Sequence, residues 1–155
     1  MLTLRNQLHE TLTKQKATLS LVETCTSGAV GAFLTETPGA SRWFLGSHVA
    51  YSNHLKSYWF DVDELIMQHG AVSEPVALAM ASGAKQQSQA THTLTITGIQ
   101  GPDGGTPTKP VGMICMAYHG IHTATTTVFC HGDRIHIRQQ TIQHALNFLW
   151  RSIHE

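Results

Sequence analysis

Charged side chains are scarce in this sequence of 155 residues: they form 13% of the chain, about half of the usual share. Ten Lys and Arg balance ten Asp and Glu, so the formal net charge at neutral pH is zero. A protein that neutralises many phosphates of a nucleic acid needs a basic surface. We therefore expect no nucleic-acid partner.

Long apolar runs and paired cysteines are also missing. No stretch approaches the roughly 18 apolar residues of a membrane span, so we expect a soluble protein without membrane contact. Cys25, Cys115 and Cys130 are odd in number and lack CxxC spacing, which argues against a disulfide framework or a zinc site. The eleven histidines show no HExxH pattern, and only the role of His69 stays open. We expect no metal, no cofactor and a cytoplasmic location.

Hydrophobic patterning predicts helices that alternate with strands. Leu4, Leu8 and Leu12 recur at helical spacing, a second helix begins near Ser27, and further helices are expected at 54–59, 63–69 and 73–89. Strands are predicted at 18–24, 47–53, 92–98, 111–120 and 122–132, the last two as a hairpin. This order predicts one α/β domain over residues 1–155, with three α/β/α layers and a mixed β-sheet.

Two predicted helices carry recognisable start signals. Ser73, followed by Glu74 and Pro75, has the residue types that open a helix with a hydroxyl cap. Asp133 is expected to cap the final helix. The apolar positions of that helix are predicted to share one face: Ile135, Ile142, Leu146, Leu149 and Ile153.

Three segments that follow predicted strands carry reactive or anion-binding groups. Residues 23–28 place hydroxyls and a thiol at a helix start, where backbone N–H groups can stabilise an oxyanion, although an ordinary helix cap has the same composition. Residues 51–56 supply a phenol and an amine, and a desolvated lysine can act as a base, although a solvated surface lysine is commoner. Residues 98–105 form a glycine-rich loop that lacks P-loop and dinucleotide-binding spacing.

Taken together, these segments resemble the CinA C-terminal domain, the nicotinamide-nucleotide amidase family. The resemblance covers nearly the whole chain and follows the family's order. The matching stretches are ETCTSG (23–28), TPGASRWFLGSHVAYSNHLK (37–56), HGAVSEPV (69–76), TGIQGPDGG (97–105), KPVG (109–112) and HGDRIHIRQQTIQHAL (131–146).

This resemblance implies metal-independent hydrolysis of the carboxamide of nicotinamide mononucleotide, giving nicotinic acid mononucleotide and ammonia. The family's Ser-Lys-Tyr set matches at Tyr51 and Lys56. Its ESCTGG motif differs here, because Thr24 replaces the serine and Ser27 replaces the first glycine of the pair. Threonine has the same nucleophilic oxygen, but its extra methyl restricts χ1 and crowds the attacked carbonyl.

The resemblance also implies a role for each part of the site. Thr24, Tyr51 and Lys56 are the expected catalytic residues, and the backbone of Cys25 and Thr26 is expected to hold the oxyanion. The expected substrate-binding residues are Glu23, Ser27, Gly28, Gly98, Gly101, Gly104 and Gly105. Lys109 or Arg42 would balance the charge of the phosphate.

One alternative function remains open at this point: a nucleotide-binding or sensing homologue whose turnover is weakened by Thr24. We also expect a homo-oligomer. A DNA-associated role would follow only from the family's name, and the neutral charge argues against it.

Overall fold

The computed structural model describes all 155 residues and contains six α-helices and five β-strands. The helices are α1 (Leu2–Gln15), α2 (Ala29–Thr35), α3 (Asn53–Phe60), α4 (Asp63–His69), α5 (Glu74–Ser88) and α6 (Arg134–His154). The strands are β1 (Leu19–Glu23), β2 (Phe44–Val49), β3 (His92–Gly98), β4 (Met113–His119) and β5 (Thr123–Phe129). A short 3₁₀ turn at Ala40–Arg42 precedes β2.

All five strands form one mixed sheet in the order β2-β1-β3-β4-β5. The first three strands in this order are parallel, whereas β4 and β5 are antiparallel to their neighbours. The carboxyl ends of the parallel strands lie side by side, because Glu23 is in register with both Val49 and Ile96. The predicted α/β fold with a mixed sheet is therefore confirmed.

Helices cover both faces of this sheet because the strand side chains alternate. Leu94 and Ile96 of β3 point into the larger core, which also contains residues of α1, α2 and α6. Thr93, directly before Leu94, points to the opposite face, where its hydroxyl donates to the carbonyl of Ala81 in α5 at 2.9 Å. A second core on that face joins Val22 of β1 to Met80 of α5. The result is the predicted three-layer α/β/α arrangement.

Local signals predicted some element boundaries and missed others. The Asp133 carboxylate accepts hydrogen bonds from the backbone N–H groups of Ile135 and His136, as a helix cap should. Ser73 does precede α5, but the predicted hydroxyl cap is wrong, because its hydroxyl donates instead to the carbonyl of Gly70 at 2.8 Å. Ser52 takes the corresponding role at α3, accepting from the N–H of Leu55.

Two further expectations need correction. The strand predicted at 47–53 lies at Phe44–Val49 instead, because Ser52 already caps the following helix. In α6, Ile135 was expected on the apolar face but is 69% exposed, and Ile137 is buried instead. No helix combines the length and the apolar composition needed to cross a membrane.

Candidate functional site

A cleft of about 280 Å³ opens at the carboxyl ends of the parallel strands. The chain leaves β1 through α2 on one face of the sheet and leaves β2 through α3, α4 and α5 on the other. Ligands commonly bind where such connections diverge to opposite faces. The residues that line the cleft are Thr24, Cys25, Tyr51, Lys56, Gly98, Ile99, Gln100, Gly101, Asp103, Gly104 and Arg134.

The buried carboxylate of Glu23 organises the turn between β1 and α2. It accepts hydrogen bonds from the Thr26 hydroxyl at 2.8 Å, from the Val30 and Gly31 backbone N–H groups at 3.0 and 2.8 Å, and from the Ser47 hydroxyl at 3.0 Å. All of these partners belong to the protein, and Glu23 does not line the cleft. Its expected role in substrate binding is therefore not supported; it fixes the turn.

Ser27 and Gly28 also stay outside the cleft, although both were expected to bind substrate. They adopt left-handed backbone conformations, with φ of 52° and 91°. Glycine reaches such angles without steric cost, which explains why a Gly-Gly pair suits this turn in the motif it resembles. The two residues reverse the chain direction so that α2 can begin beside Glu23.

Thr24 presents its hydroxyl at the base of the cleft. The residue is 3% exposed, and its backbone N–H donates to the Ile96 carbonyl at 3.1 Å. Its Oγ1 accepts a hydrogen bond from the Cys25 backbone N–H at 2.6 Å. The hydroxyl is also within hydrogen-bonding reach of the Cys25 sulfur, a weak acceptor that leaves the proton available to a base. The Cys25 N–H, which we expected at the oxyanion, is occupied by the nucleophile's own oxygen.

Lys56 lies on α3 with its amine inside the cleft, and the residue is only 6% exposed. Burial lowers the pKa of Lys56 below its ordinary value of 10.5, and the nearby Cys25 thiol opposes that change. The amine donates a hydrogen bond to Asn53 Oδ1 at 3.0 Å, and none to Thr24 or Tyr51. Lys56 therefore has the environment of a base, but its amine is hydrogen-bonded to Asn53, one helical turn earlier in α3.

The Cys25 thiol is not suited to act as the nucleophile. Burial raises the pKa of Cys25 to about 12, because a thiolate there would lose its hydration. A thiol with that pKa stays protonated at neutral pH, and only the thiolate is strongly nucleophilic. Between the two candidate nucleophiles in this turn, Thr24 is the better one.

Arg134 connects the two sides of the cleft mouth. Its Nη2 donates to the Tyr51 hydroxyl oxygen at 2.9 Å, and its Nη1 donates to the Gly101 carbonyl at 2.8 Å. The arginine thus orients the exposed Tyr51 ring and holds the glycine-rich loop. The sequence analysis did not select Arg134, although it lies within the HGDRIHIRQQTIQHAL stretch of the resemblance.

The cations that were expected near the phosphate lie elsewhere. The Lys109 amine donates to the carbonyls of His69 and Val72, the latter at 2.7 Å, and Arg42 lies in the 3₁₀ turn beside Gly39. Neither lines the cleft. The two cationic side chains that do line it are Lys56 and Arg134.

The glycine-rich loop contributes Gly98, Gly101 and Gly104 to the cleft wall, as expected. At Gly98 a Cβ atom would lie 3.2 Å from Cys25 Sγ and 3.0 Å from the Met113 carbonyl oxygen, so only glycine allows β3 to pack this close to the nucleophile turn. Gly105 does not line the cleft. The loop also supplies Asp103 and Gln100, which the sequence analysis did not select.

His69, whose role was left open, is exposed at the end of α4 and does not line the cleft. No three His, Cys, Asp or Glu side chains come together in a group that could hold a metal ion.

Comparison with known proteins reveals related sequences and structures. The family model of the CinA C-terminal domain matches residues 1–153. A CinA-like protein of Mycobacterium tuberculosis is 46% identical over 138 residues, covering 87% of this chain and 32% of its own length. The chain spans about a third of the length of the curated relatives it matches. Among solved structures, the competence/damage inducible protein CihA of Agrobacterium tumefaciens is 32% identical with a TM-score of 0.90, covering 96% of this chain and 93% of its own.

Proposed function

Because the chain belongs to the family of CinA C-terminal domains, we propose that it hydrolyses the carboxamide of nicotinamide mononucleotide to nicotinic acid mononucleotide and ammonia. The observation that carries this proposal is the buried Lys56 amine in the same cleft as the Thr24 hydroxyl. A lysine whose pKa is lowered by burial loses its proton more readily than a solvated lysine and so is suited to act as a base, and the Thr24 hydroxyl supplies the nucleophile.

The first proposed step is attack by Thr24 on the amide carbon. Neutral Lys56 leaves its hydrogen bond to Asn53 and takes the proton from Thr24 Oγ1, while Oγ1 forms a bond to the carbonyl carbon. The carbonyl π electrons move to oxygen and form an oxyanion, and the Cys25 backbone N–H leaves Thr24 Oγ1 to donate to this oxygen as the new bond forms.

The second step expels ammonia and the third restores the protein. The Tyr51 oxygen accepts a hydrogen bond from Arg134, so the phenol proton remains free to be donated toward the leaving nitrogen. Collapse of the tetrahedral intermediate breaks the C–N bond, releases ammonia and leaves an ester on Thr24. The Lys56 ammonium then returns its proton to the Tyr51 phenolate, so both groups regain their starting protonation states. Water, deprotonated by Lys56, then attacks the ester carbon, releases the carboxylic acid and returns the proton to Oγ1.

Arg134 is the proposed counter-charge for the phosphate of the mononucleotide. A guanidinium group carries five N–H donors, and two hydrogen bonds to Tyr51 and Gly101 leave others free for a phosphate. The backbone of the 98–104 loop faces the same space and supports this assignment. Arg134 thus takes the phosphate-binding role that was expected of Lys109 or Arg42, neither of which lines the cleft.

A second candidate function is nucleotide binding without turnover. The observation that favours it is the hydrogen bond from Lys56 to Asn53, since in this arrangement no base contacts Thr24. The methyl group of Thr24 adds a barrier that a serine would not have. Binding would still be possible, because the residues proposed for the phosphate lie at the cleft mouth.

Ammonia release from nicotinamide mononucleotide, measured beside a calorimetric binding titration, separates these functions. We expect release by the wild-type protein and none by Lys56→Met, which keeps the side-chain length but removes the amine. The matched control is Lys14→Met, which changes an exposed lysine on α1 and should leave the rate unchanged. Binding without release selects the sensing function, and absence of both contradicts the proposal.

A further inference from the structure

The side chain of Gln100 is an unpaired amide buried beside the cleft. Gln100 is 3% exposed, and neither its Nε2 nor its Oε1 has a hydrogen-bond partner. It lies in the loop after β3 and lines the same cleft as Thr24 and Lys56. A buried polar group without a partner is unfavourable, and an exception of this kind in a folded protein calls for a reason. Gln100 thus offers one donor group and one acceptor beside the reacting groups.

The cleft is also short of free donors for an oxyanion. The Cys25 backbone N–H already donates to Thr24 Oγ1, and the Lys56 amine donates to Asn53. Side-chain amides of Asn or Gln supply oxyanion donors in other hydrolases. The unpaired amide nitrogen of Gln100, a residue that lines this cleft, has the right chemistry for that role.

We propose that Gln100 recognises the substrate's carboxamide through two reciprocal hydrogen bonds, an inference that rests on the proposed amidase function. Gln100 Nε2–H donates to the carboxamide oxygen, where negative charge develops during attack. Gln100 Oε1 accepts from the carboxamide NH₂. A primary amide is the complement of another primary amide, because each carries one acceptor oxygen and one donor nitrogen.

This pairing makes the cleft selective for the amide over the acid. The product carries a carboxylate, which only accepts hydrogen bonds, so Gln100 Oε1 would face a second acceptor oxygen. A ligand that leaves a buried polar group of the site without a hydrogen bond binds much more weakly than one that pairs with it. The two amide atoms have almost no solvent contact, so Gln100 must change rotamer when substrate enters, an adjustment common at binding surfaces.

Binding of substrate and product to Gln100→Leu tests this inference. The titrations use nicotinamide mononucleotide and nicotinic acid mononucleotide in a Thr24→Ala background, which prevents turnover. We expect the Thr24→Ala protein to bind nicotinamide mononucleotide more tightly than nicotinic acid mononucleotide. Adding Gln100→Leu should reduce the ratio of these two affinities by about tenfold. The melting temperature should not fall, because leucine replaces an amide that makes no hydrogen bond within the fold.

The matched control is Thr95→Val, since Thr95 Oγ1 is likewise buried without a partner but does not line the cleft. It should leave the affinity ratio unchanged. An unchanged ratio in Gln100→Leu overturns the inference, as does a melting temperature that falls well below that of Thr95→Val. If wild-type protein binds neither nucleotide, the proposed function fails and the inference fails with it.

Discussion

Substitution of Thr24 by Ser gives the most direct test of the proposed nucleophile. Serine keeps Oγ and the hydrogen bond from the Cys25 N–H, and it removes one methyl group from a residue that is 3% exposed. Burial of a methyl-sized group contributes about 0.8 kcal/mol, so Thr24→Ser should lower the free energy of unfolding by roughly that amount. Fold and site should otherwise be preserved.

The rate of amide hydrolysis should rise in the same variant. The β-branched threonine holds χ1 in few rotamers, and its methyl lies next to the carbonyl that Oγ1 attacks. Misplacement by about 1 Å can cost roughly a hundredfold in rate, so relief of this crowding should raise kcat by about tenfold or more. Stability and activity should therefore change in opposite directions.

Thr24→Val is the isosteric control. Valine keeps the branched shape but removes the oxygen, so the rate should fall to background and the Cys25 N–H should lose its partner. An unpaired buried donor costs about 1–3 kcal/mol, which denaturant unfolding would detect. The assay is ammonia release at saturating nicotinamide mononucleotide for wild type and both variants. If Thr24→Val retains the wild-type rate, Thr24 is not the nucleophile.

Four further predictions concern the other residues that line the cleft. The kcat/KM should rise with pH through the lowered pKa of Lys56 and then level off, because only the neutral amine accepts a proton. A kcat/KM that falls over this pH range contradicts the role of Lys56 as the base. Burial also disfavours the charged amine in the folded state, so Lys56→Met should be more stable than wild type at pH 7 in urea unfolding, with the difference shrinking as pH rises toward 10.5. Cys25→Ala should cost far less activity than Lys56→Met, because burial keeps the pKa of the thiol at about 12; an equal loss would implicate the sulfur. Arg134→Met should weaken binding of nicotinamide mononucleotide by roughly ten- to hundredfold in calorimetry and weaken binding of nicotinamide riboside much less, because the riboside has no phosphate and is affected only through Tyr51 and the Gly101 loop. Equal weakening of both would show that Arg134 does not bind the phosphate.

The features that could be predicted from the sequence depend on short-range chemistry. Asp133 caps α6 through N–H groups two and three residues away, a relation that the local sequence contains. Likewise, Thr24, Tyr51 and the loop that begins after Gly98 all lie within two residues of a strand end, and parallel strands bring those ends together.

The unpredicted features depend on long-range geometry. Arg134 meets Tyr51 across 83 positions of the chain, and no local pattern encodes that contact. Glu23 was expected to bind substrate, because the sequence does not show its four hydrogen-bond partners. These partners come from the turn itself, from α2 and from β2, which only the fold brings around the carboxylate. For Ile135, the helical period was correct, but the first turn of α6 extends beyond the core.

The bridge made by Arg134 also has a consequence for the order in which the cleft is assembled. Thr24 and Lys56 emerge from the ribosome before β3 and its loop, and Arg134 follows later on α6. Until α6 docks against the sheet, Tyr51 and the Gly101 loop have no common anchor. A nascent chain in which synthesis has passed Lys56 and the Gly101 loop but not α6 thus has the reactive groups without the Arg134 hydrogen bonds that join the two sides of the cleft. Ligand binding should therefore appear as one of the last events of folding, and a nucleotide that bridges the same groups should speed the docking of α6.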